Sequence, residues 1–244
     1  MKLAVVCCLH GNEPYGLEVV KRLPASVQYF IGNENALEKN VRFIDVDLNR
    51  CFPGDPEGNY EERRAVYLVS KLKDFDYIID LHSTSNECPI FGIVTRINKN
   101  KIFLAESLGL NKLVLMPRRV AKGKALIDYV KCGISLEVGP HNRKENSEEI
   151  LSAIRNLLNN PTQNKELEIF IAGNEIRKEG ERVIIQNFQE IKKGELIMDG
   201  NKKQYADEDF IAILVNEAAY KNILCIKAKR MPLLNLYKHK GAIT

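Results

Sequence analysis

Two apolar runs in this chain each deliver a histidine, and a carboxylate accompanies the first. Cys8-Leu9-His10-Gly11-Asn12-Glu13 places an imidazole and, three residues on, a carboxylate after the apolar stretch Leu3–Leu9. Tyr77-Ile78-Ile79-Asp80-Leu81-His82 repeats the pattern with a second histidine at its end. A neutral imidazole nitrogen and a carboxylate oxygen are both good zinc ligands, and three protein ligands leave one position open, as a catalytic zinc site requires. His10, Glu13 and His82 form such a set, with one zinc expected per chain. Zinc lowers the pKa of water from about 9 for the aqueous ion to about 7, which makes hydroxide available at neutral pH. Two histidines and a carboxylate also accept other divalent metals.

Elements of the right kind surround these residues. Leu3–Leu9 and Tyr77–His82 are continuous apolar runs of the sort a parallel sheet buries on both faces. Their histidines then lie at the carboxyl edge of the sheet, where ligands bind in open α/β folds. Gly11 lets the chain turn there without a Cβ clash. Asp80 faces the same side of its strand as His82, either as a partner to it or as a structural carboxylate. Helices are expected over Pro14–Arg22, Tyr60–Leu72 and Ile102–Leu108, and after a capping Ser147 as far as Leu158. Further strands are expected at Val27–Ile31, Ile90–Thr95, Leu113–Leu115 and Ile134–Pro140, and a polar connection at Asn33–Asn40. The last of these strands is interrupted by Glu137, a carboxylate too costly to bury without a task. The run from Arg42 to Gly54 is too polar for a core strand and ends on a turn signal, so it reads as a functional loop. Arg118–Lys124 is a basic loop, either a solvated turn or a lid over an anionic substrate.

Beyond Asn159–Asn164, the best linker candidate, the pattern changes to short strands: Leu167–Ile171, Arg182–Ile185, Glu195–Met198, Phe210–Val215 and Ile223–Ile226. The expected organisation is an α/β unit over residues 1–160 followed by a small C-terminal β domain over 161–244. At 244 residues the chain is long enough for a sizeable core. A formal charge of +4 is too small to suggest nucleic acid and suits an anionic small molecule. No apolar run approaches the roughly 20 residues needed to span a bilayer, and no membrane association is expected. A cytoplasmic location follows from the amino terminus entering a strand rather than a signal segment. The six cysteines lack Cys-x-x-Cys spacing and mostly sit in apolar runs, which suggests neither disulfides nor a thiolate metal site. The oligomeric state stays open, a homo-oligomer included.

Taken in order, the motifs resemble those of the succinylglutamate desuccinylase and aspartoacylase family of zinc hydrolases, relatives of the zinc carboxypeptidases. His10-Gly11-Asn12-Glu13 and Asp80-Leu81-His82 resemble its two metal motifs, Asp47-Leu48-Asn49-Arg50 its substrate motif, and Gly133–Pro140 the strand carrying its general base. Asn216-Glu217-Ala218-Ala219-Tyr220 and Ser83-Thr84-Ser85-Asn86 resemble the aspartoacylase branch. The resemblance implies a zinc-carboxypeptidase-like mixed sheet flanked by helices, followed by a small C-terminal β domain. It also implies hydrolysis of an N-acyl amino acid: Glu137 as general base, Arg42 on the carbonyl, Asn49 and Arg50 on a substrate carboxylate, and Tyr220 closing the pocket. Glu217 and Tyr220 equally suit packing between domains, and no chemistry is assigned to His141 or His239. An acyl-aspartate is the leading substrate, N-succinylglutamate or another acyl amino acid the alternative, and a silent ligand-binding relative the non-enzymatic one. The sequence departs from the family twice. Glu34 stands where the family has proline. The arginine that grips a second substrate carboxylate falls near Ile127, leaving Arg118, Arg119, Lys122 and Lys124 as candidates for that role.

Overall fold

The computed structural model describes residues 1–118, 122–159 and 166–231. The elements run β1 (Leu3–Cys7), α1 (Tyr15–Lys21), β2 (Gln28–Ile31), α2 (Glu34–Glu38), α3 (Tyr60–Leu72), β3 (Tyr77–Ser83), β4 (Phe91–Val94), α4 (Lys99–Ser107) and β5 (Lys112–Leu115). There follow β6 (Gly133–Val138), α5 (Asn146–Leu158), β7 (Glu168–Arg177), β8 (Arg182–Val183), β9 (Glu190–Ile191), β10 (Leu196–Asp199), β11 (Gln204–Tyr205), β12 (Phe210–Ile213) and β13 (Ile223–Met231). One mixed sheet has the order β2-β1-β3-β6-β4-β5-β7-β13-β12-β9, and a small separate antiparallel sheet has the order β11-β10-β8.

Strand alternation sorts the core into two layers. Leu3, Val5 and Cys7 of β1, with Ile79 and Leu81 of β3, pack in one apolar cluster with residues of α1, α4 and α5. Ala4 and Val6, with Ile78, pack in another that holds Ala65, Leu68 and Leu72 of α3. Side chains two apart share a face, so on the α3 side β3 presents Ile78, then Asp80, then His82. The register carries this sequence sideways: Asp80 pairs with Ser135 and His82 with Glu137 on β6, and Phe91 of β4 lies opposite Glu137 from the other side. The face is therefore apolar deep in the sheet and becomes ionisable at its carboxyl edge.

Several elements differ from expectation. Asn33–Asn40 is not simply a polar connection: it contains α2, whose start is capped by Asn33 accepting from the Ala36 amide at 3.0 Å. Five residues with one buried position leave no apolar periodicity to read. β1 ends at Cys7 because Cys8 turns the chain with φ 54°, which frees His10 from the ladder. Ser147 does not cap α5. It lies inside the helix, and its hydroxyl donates to Glu18 across the interface with α1. α4 starts earlier than expected, at Lys99, with Asn98 as its cap. α3 matches its expected bounds and starts with a capping box between Asn59 and Glu62. β7 runs to Arg177, well past Ile171, because it pairs with β5 at its start and with β13 along its length.

The C-terminal strands divide between the two sheets: β7, β9, β12 and β13 continue the main sheet, while β8, β10 and β11 form the small one. A separate apolar cluster, including Ile191, Ile197, Phe210 and Leu224, lies among them. The expected linker and the boundary at residue 160 lie, apart from Asn159, outside the described residues, as does His239. No described helix is long and apolar enough to cross a membrane.

Gly11 serves close packing rather than an unusual φ. A Cβ there would sit 2.1 Å from the carbonyl carbon of Ala36 and 2.3 Å from the Leu37 nitrogen, both backbone atoms of α2. Gly11→Ala is expected to force the His10 loop off α2, at a cost of about 1–3 kcal/mol, with a lower Tm and weaker metal retention. A variant that melts and binds zinc like the parent would show that the close approach is dispensable.

Candidate metal and hydrolase centre

His10 and Glu13 leave β1 on a short turn in which the Glu13 amide donates to the His10 carbonyl. Beside them, β3 delivers His82 as the last outward residue of the alternation. One ligand atom from each of the three side chains lies within 4.8 Å of the others, and all three residues are buried. His10 Nδ1 is 3.1 Å from Glu13 Oε1, and His82 Nδ1 is 3.6 Å from Glu13 Oε2. Zinc bonds of roughly 2.0–2.2 Å in a tetrahedron put neighbouring ligand atoms roughly 3.3–3.6 Å apart, so the cluster is close to the size such an ion needs.

The outer nitrogens of both imidazoles meet carboxylates. His10 Nε2 is 3.2 Å from Asp47 Oδ1, and His82 Nε2 is 2.7 Å from Asp80 Oδ2, which also accepts from Ser135 at 3.3 Å. Carboxylate partners of this kind fix the tautomer and orientation of metal-binding histidines. Asp80 thus acts as the partner of His82, one of the two roles expected for it. Asp47, for which the sequence alone assigns no separate role, orients His10. It also accepts from Arg42 Nη2 at 2.9 Å and from the Asn49 amide at 2.9 Å. Behind it, buried Glu61 of α3 accepts from Asn33 and from the amides of Ile44 and Asp45 at 2.7–3.1 Å. The loop from Arg42 to Asp47 is therefore tied to a helix. Nothing in the spacing of α3 distinguishes Glu61 from its half-buried neighbour Glu62.

A cation fits the donor set. Among the described residues Glu13 Oε2 is buried without a hydrogen-bond partner, and so is Asp80 Oδ1. Burial alone would raise the Glu13 pKa, but His10 and His82 outweigh it and hold the carboxyl well below its usual range. Burial likewise opposes protonation of His82, yet Asp80 and Glu13 raise its pKa well above the ordinary value. Burial again works against Asp47, and His10, Arg42 and Arg50 hold it low. Glu137 goes the other way: burial, reinforced by Glu13, Glu217 and Asp80 and opposed by His82, pushes it up to about 8.

His10, Glu13, His82 and Glu137 line a cleft of about 100 Å³ that also takes in Arg42, Asn49, Arg50, Glu217, Tyr220 and Ile127. Arg50 Nη2 donates to the Tyr220 hydroxyl at 2.7 Å, and Asn49 Oδ1 accepts from the Leu126 amide at 3.1 Å. Glu217 Oε2 accepts from the Ser85 amide at 2.9 Å, and burial raises its pKa. His10, Glu13, His82, Arg42, Asn49, Arg50, Glu137 and Tyr220 therefore all reach one cleft. Of the four basic candidates near Ile127, Arg118 lies with its Nε 3.3 Å from Asp128, Lys122 and Lys124 are not among the cleft-lining residues, and Arg119 lies outside the described residues. His141 is close by, with Nδ1 2.7 Å from the Ser83 hydroxyl on the cleft wall.

Residues 1–163 match the profile of the succinylglutamate desuccinylase/aspartoacylase catalytic domain. The chain belongs to this family. It is 29% identical over 267 aligned positions to a probable aspartoacylase of Prochlorococcus marinus subsp. pastoris, covering 90% of each chain. A probable aspartoacylase of Trichodesmium erythraeum is 36% identical over 104 positions, covering 34% of this chain and 36% of that one. Among solved structures, murine aminoacylase 3 superposes with a TM-score of 0.78 at 20% identity, covering 95% of both chains. The succinylglutamate desuccinylase of Vibrio parahaemolyticus gives 0.71 at 16%, covering 95% of this chain and 82% of that one. These two show a shared fold. Family membership and the metal-binding cluster together support a hydrolase of the deacylase type.

Asp47→Asn keeps the shape of the side chain but removes the charge that orients His10 and Arg42. Zinc affinity, measured by competition with a chelator, should fall about 10- to 100-fold. Unchanged affinity would remove Asp47 from the metal centre.

Proposed function

We propose that the protein is a zinc-dependent amidohydrolase that releases the acyl group of an N-acyl amino acid as a carboxylate. The observation that carries this reading is the convergence of His10, Glu13 and His82 beside Glu137, in a cleft whose other wall holds Arg42, Asn49 and Arg50. Zinc, when bound, supplies a Lewis acid that polarises the amide carbonyl and acidifies water, and its charge lowers the pKa of Glu137. His10, Glu13 and His82 hold one ion per chain.

Glu137 accepts a proton from the water that attacks the amide carbon and delivers it to the leaving nitrogen. Its buried position keeps the carboxyl poised for both transfers, since a group with a pKa close to the working pH gives and takes a proton at similar cost. Arg42 spends Nε and Nη2 on Asp47, which leaves Nη1 for the carbonyl oxygen as negative charge develops there. Arg50 offers a planar fork to a substrate carboxylate, with Asn49 beside it and the Tyr220 hydroxyl bracing the guanidinium. We assign residues 1–160 to the hydrolase unit and residues 161–244 to a unit that contributes Tyr220 to the pocket. The Asn216–Tyr220 segment supports the aspartoacylase branch of the family, and acyl-aspartates and N-succinylglutamate both fall within the proposed reaction class.

Metal analysis of the purified protein is expected to give one zinc per chain. Glu137→Gln should keep that zinc and lose at least about 100-fold in kcat, as expected of a missing general base. Near-normal turnover in this variant would sink the mechanism. Arg50→Ala should raise KM for acyl amino acids while leaving uncharged acyl amides little affected. An equal loss on both substrates would take Arg50 out of carboxylate recognition.

A further inference from the structure

The cleft has two chemically different ends. At one end lie Arg42 and Arg50, the cationic side chains among its described lining residues. Arg42 is matched by Asp47 at 2.9 Å. Arg50 has no carboxylate partner within 4.0 Å among the described residues; its bonds go to a hydroxyl and a backbone carbonyl. One guanidinium is thus left over, and it can match one substrate carboxylate.

The other end is formed by Ile93, Met116, Ala125, Ile127 and Leu214. The register explains why it is apolar. Ile93 of β4 lies opposite Ser135 of β6, one row in from the pairing of Phe91 with Glu137, so the wall beyond the catalytic carboxylate is built by β4 and the end of β5. The polar side chains behind this end face a single carboxylate. The Thr95 hydroxyl donates to Asp128 Oδ1 at 2.7 Å, and the Arg118 guanidinium faces the same carboxylate at 3.3 Å. Asp128, whose side chain is fully buried, therefore puts a negative charge behind Ile127, with Arg118 turned towards that charge. The two ends are joined: Asn49 Oδ1 accepts from the Leu126 amide, which fixes the turn carrying Ala125 and Ile127 beside the carboxylate-binding loop. Ala125 and Ile127 thereby share the cleft with Arg50.

The geometry points to a substrate with a single carboxylate and an apolar side chain, rather than an acylated acidic amino acid. This inference rests on the deacylase reading above, and it departs from the acyl-aspartate expected from the resemblance. A second carboxylate placed among Ile93, Met116, Ile127 and Leu214 would lose its water without meeting a cation among the described lining residues, an unfavourable exchange. An aliphatic side chain gains from the same surroundings.

The test uses the zinc-loaded full chain with N-acetyl-leucine, N-acetyl-methionine, N-acetyl-aspartate and N-succinyl-glutamate. Expected is a kcat/KM for the two apolar substrates at least about 10-fold above either acidic substrate. In Ile127→Arg, the ratio of N-acetyl-leucine to N-acetyl-aspartate should fall at least about 10-fold. Because that variant puts a charge into a packed turn, selectivity is also read on zinc-loaded Glu137→Gln protein by calorimetry, where N-acetyl-leucine should bind more tightly than N-acetyl-aspartate. Preference for an acidic substrate in turnover or in binding overturns the inference. If none of the four substrates is hydrolysed, the deacylase reading fails, and the calorimetric ratio still decides the selectivity of the cleft.

Discussion

Glu13 and Asp80 are almost wholly withdrawn from water, yet each keeps one carboxylate oxygen without a hydrogen bond among the described residues. Desolvating a carboxylate is costly unless it is paired, and the pairs here are two imidazoles that must serve three acids. His10 stands between Glu13 and Asp47, and His82 between Glu13 and Asp80. Glu137 adds a fourth acid to the same space, where burial, reinforced by its acidic neighbours, raises its pKa. A divalent cation beside Glu13 resolves this excess of negative charge. It also frees both imidazoles to be neutral ligands, each with an outer nitrogen donating to an aspartate. The acids that make the site awkward to fold without an ion are those that orient it around one.

The sheet makes this arrangement with little specialised sequence. Along β3 and β6 the residues on the α3 face progress from apolar to ionisable over two alternations, so the charged rows fall where the strands leave the core. Loops then bring in what the strands cannot. The β1 loop is pressed against α2 through Gly11, and the Arg42–Asp47 segment is anchored by Glu61 of α3. Each catalytic group is thus placed by a packed element, and little is left to loop flexibility.

The residues whose type and position announce chemistry were legible in the sequence: histidines ending apolar runs, and one carboxylate interrupting another. Their convergence at one sheet edge follows from the strand ends on which they lie, and continuous apolar runs located most strands of the first 160 residues. Residues acting through partners distant in the chain were not legible. Asp47 meets His10 across 37 positions and Glu61 meets Ile44 across 17, and no local pattern encodes either pairing. α2 was hidden by its shortness, and Ser147 misled because its hydroxyl serves a contact with α1 rather than a helix end. The extent of β7 depends on β13, which lies far downstream, so its local composition underestimates its length.

The turn between β12 and β13 shows how the last part of the chain is drawn into the site. It delivers Glu217, Ala219 and Tyr220 to the cleft, and Leu214 lines the cleft from the same turn. Leu214 and Asn216 both adopt left-handed backbone angles, with φ 49° and 54°. For a leucine this conformation costs roughly 1–2 kcal/mol, and it persists only where surrounding bonds compel it. Those bonds come from two loops, the one after β3 and the one between β8 and β9: Asn86 donates to the carbonyls of Val215 and Asn216, and Asn187 accepts from the Val215 amide. Asn86 follows closely on His82, so the segment that leaves the metal centre also clamps the turn that closes the cleft. Tyr220 is thereby held against Arg50, and Glu217 against Ser85, by a strained turn restrained in part from the loop that follows His82. A shift of His82 on ion binding would be felt first at Asn86, and through it at the Tyr220 hydroxyl that braces Arg50.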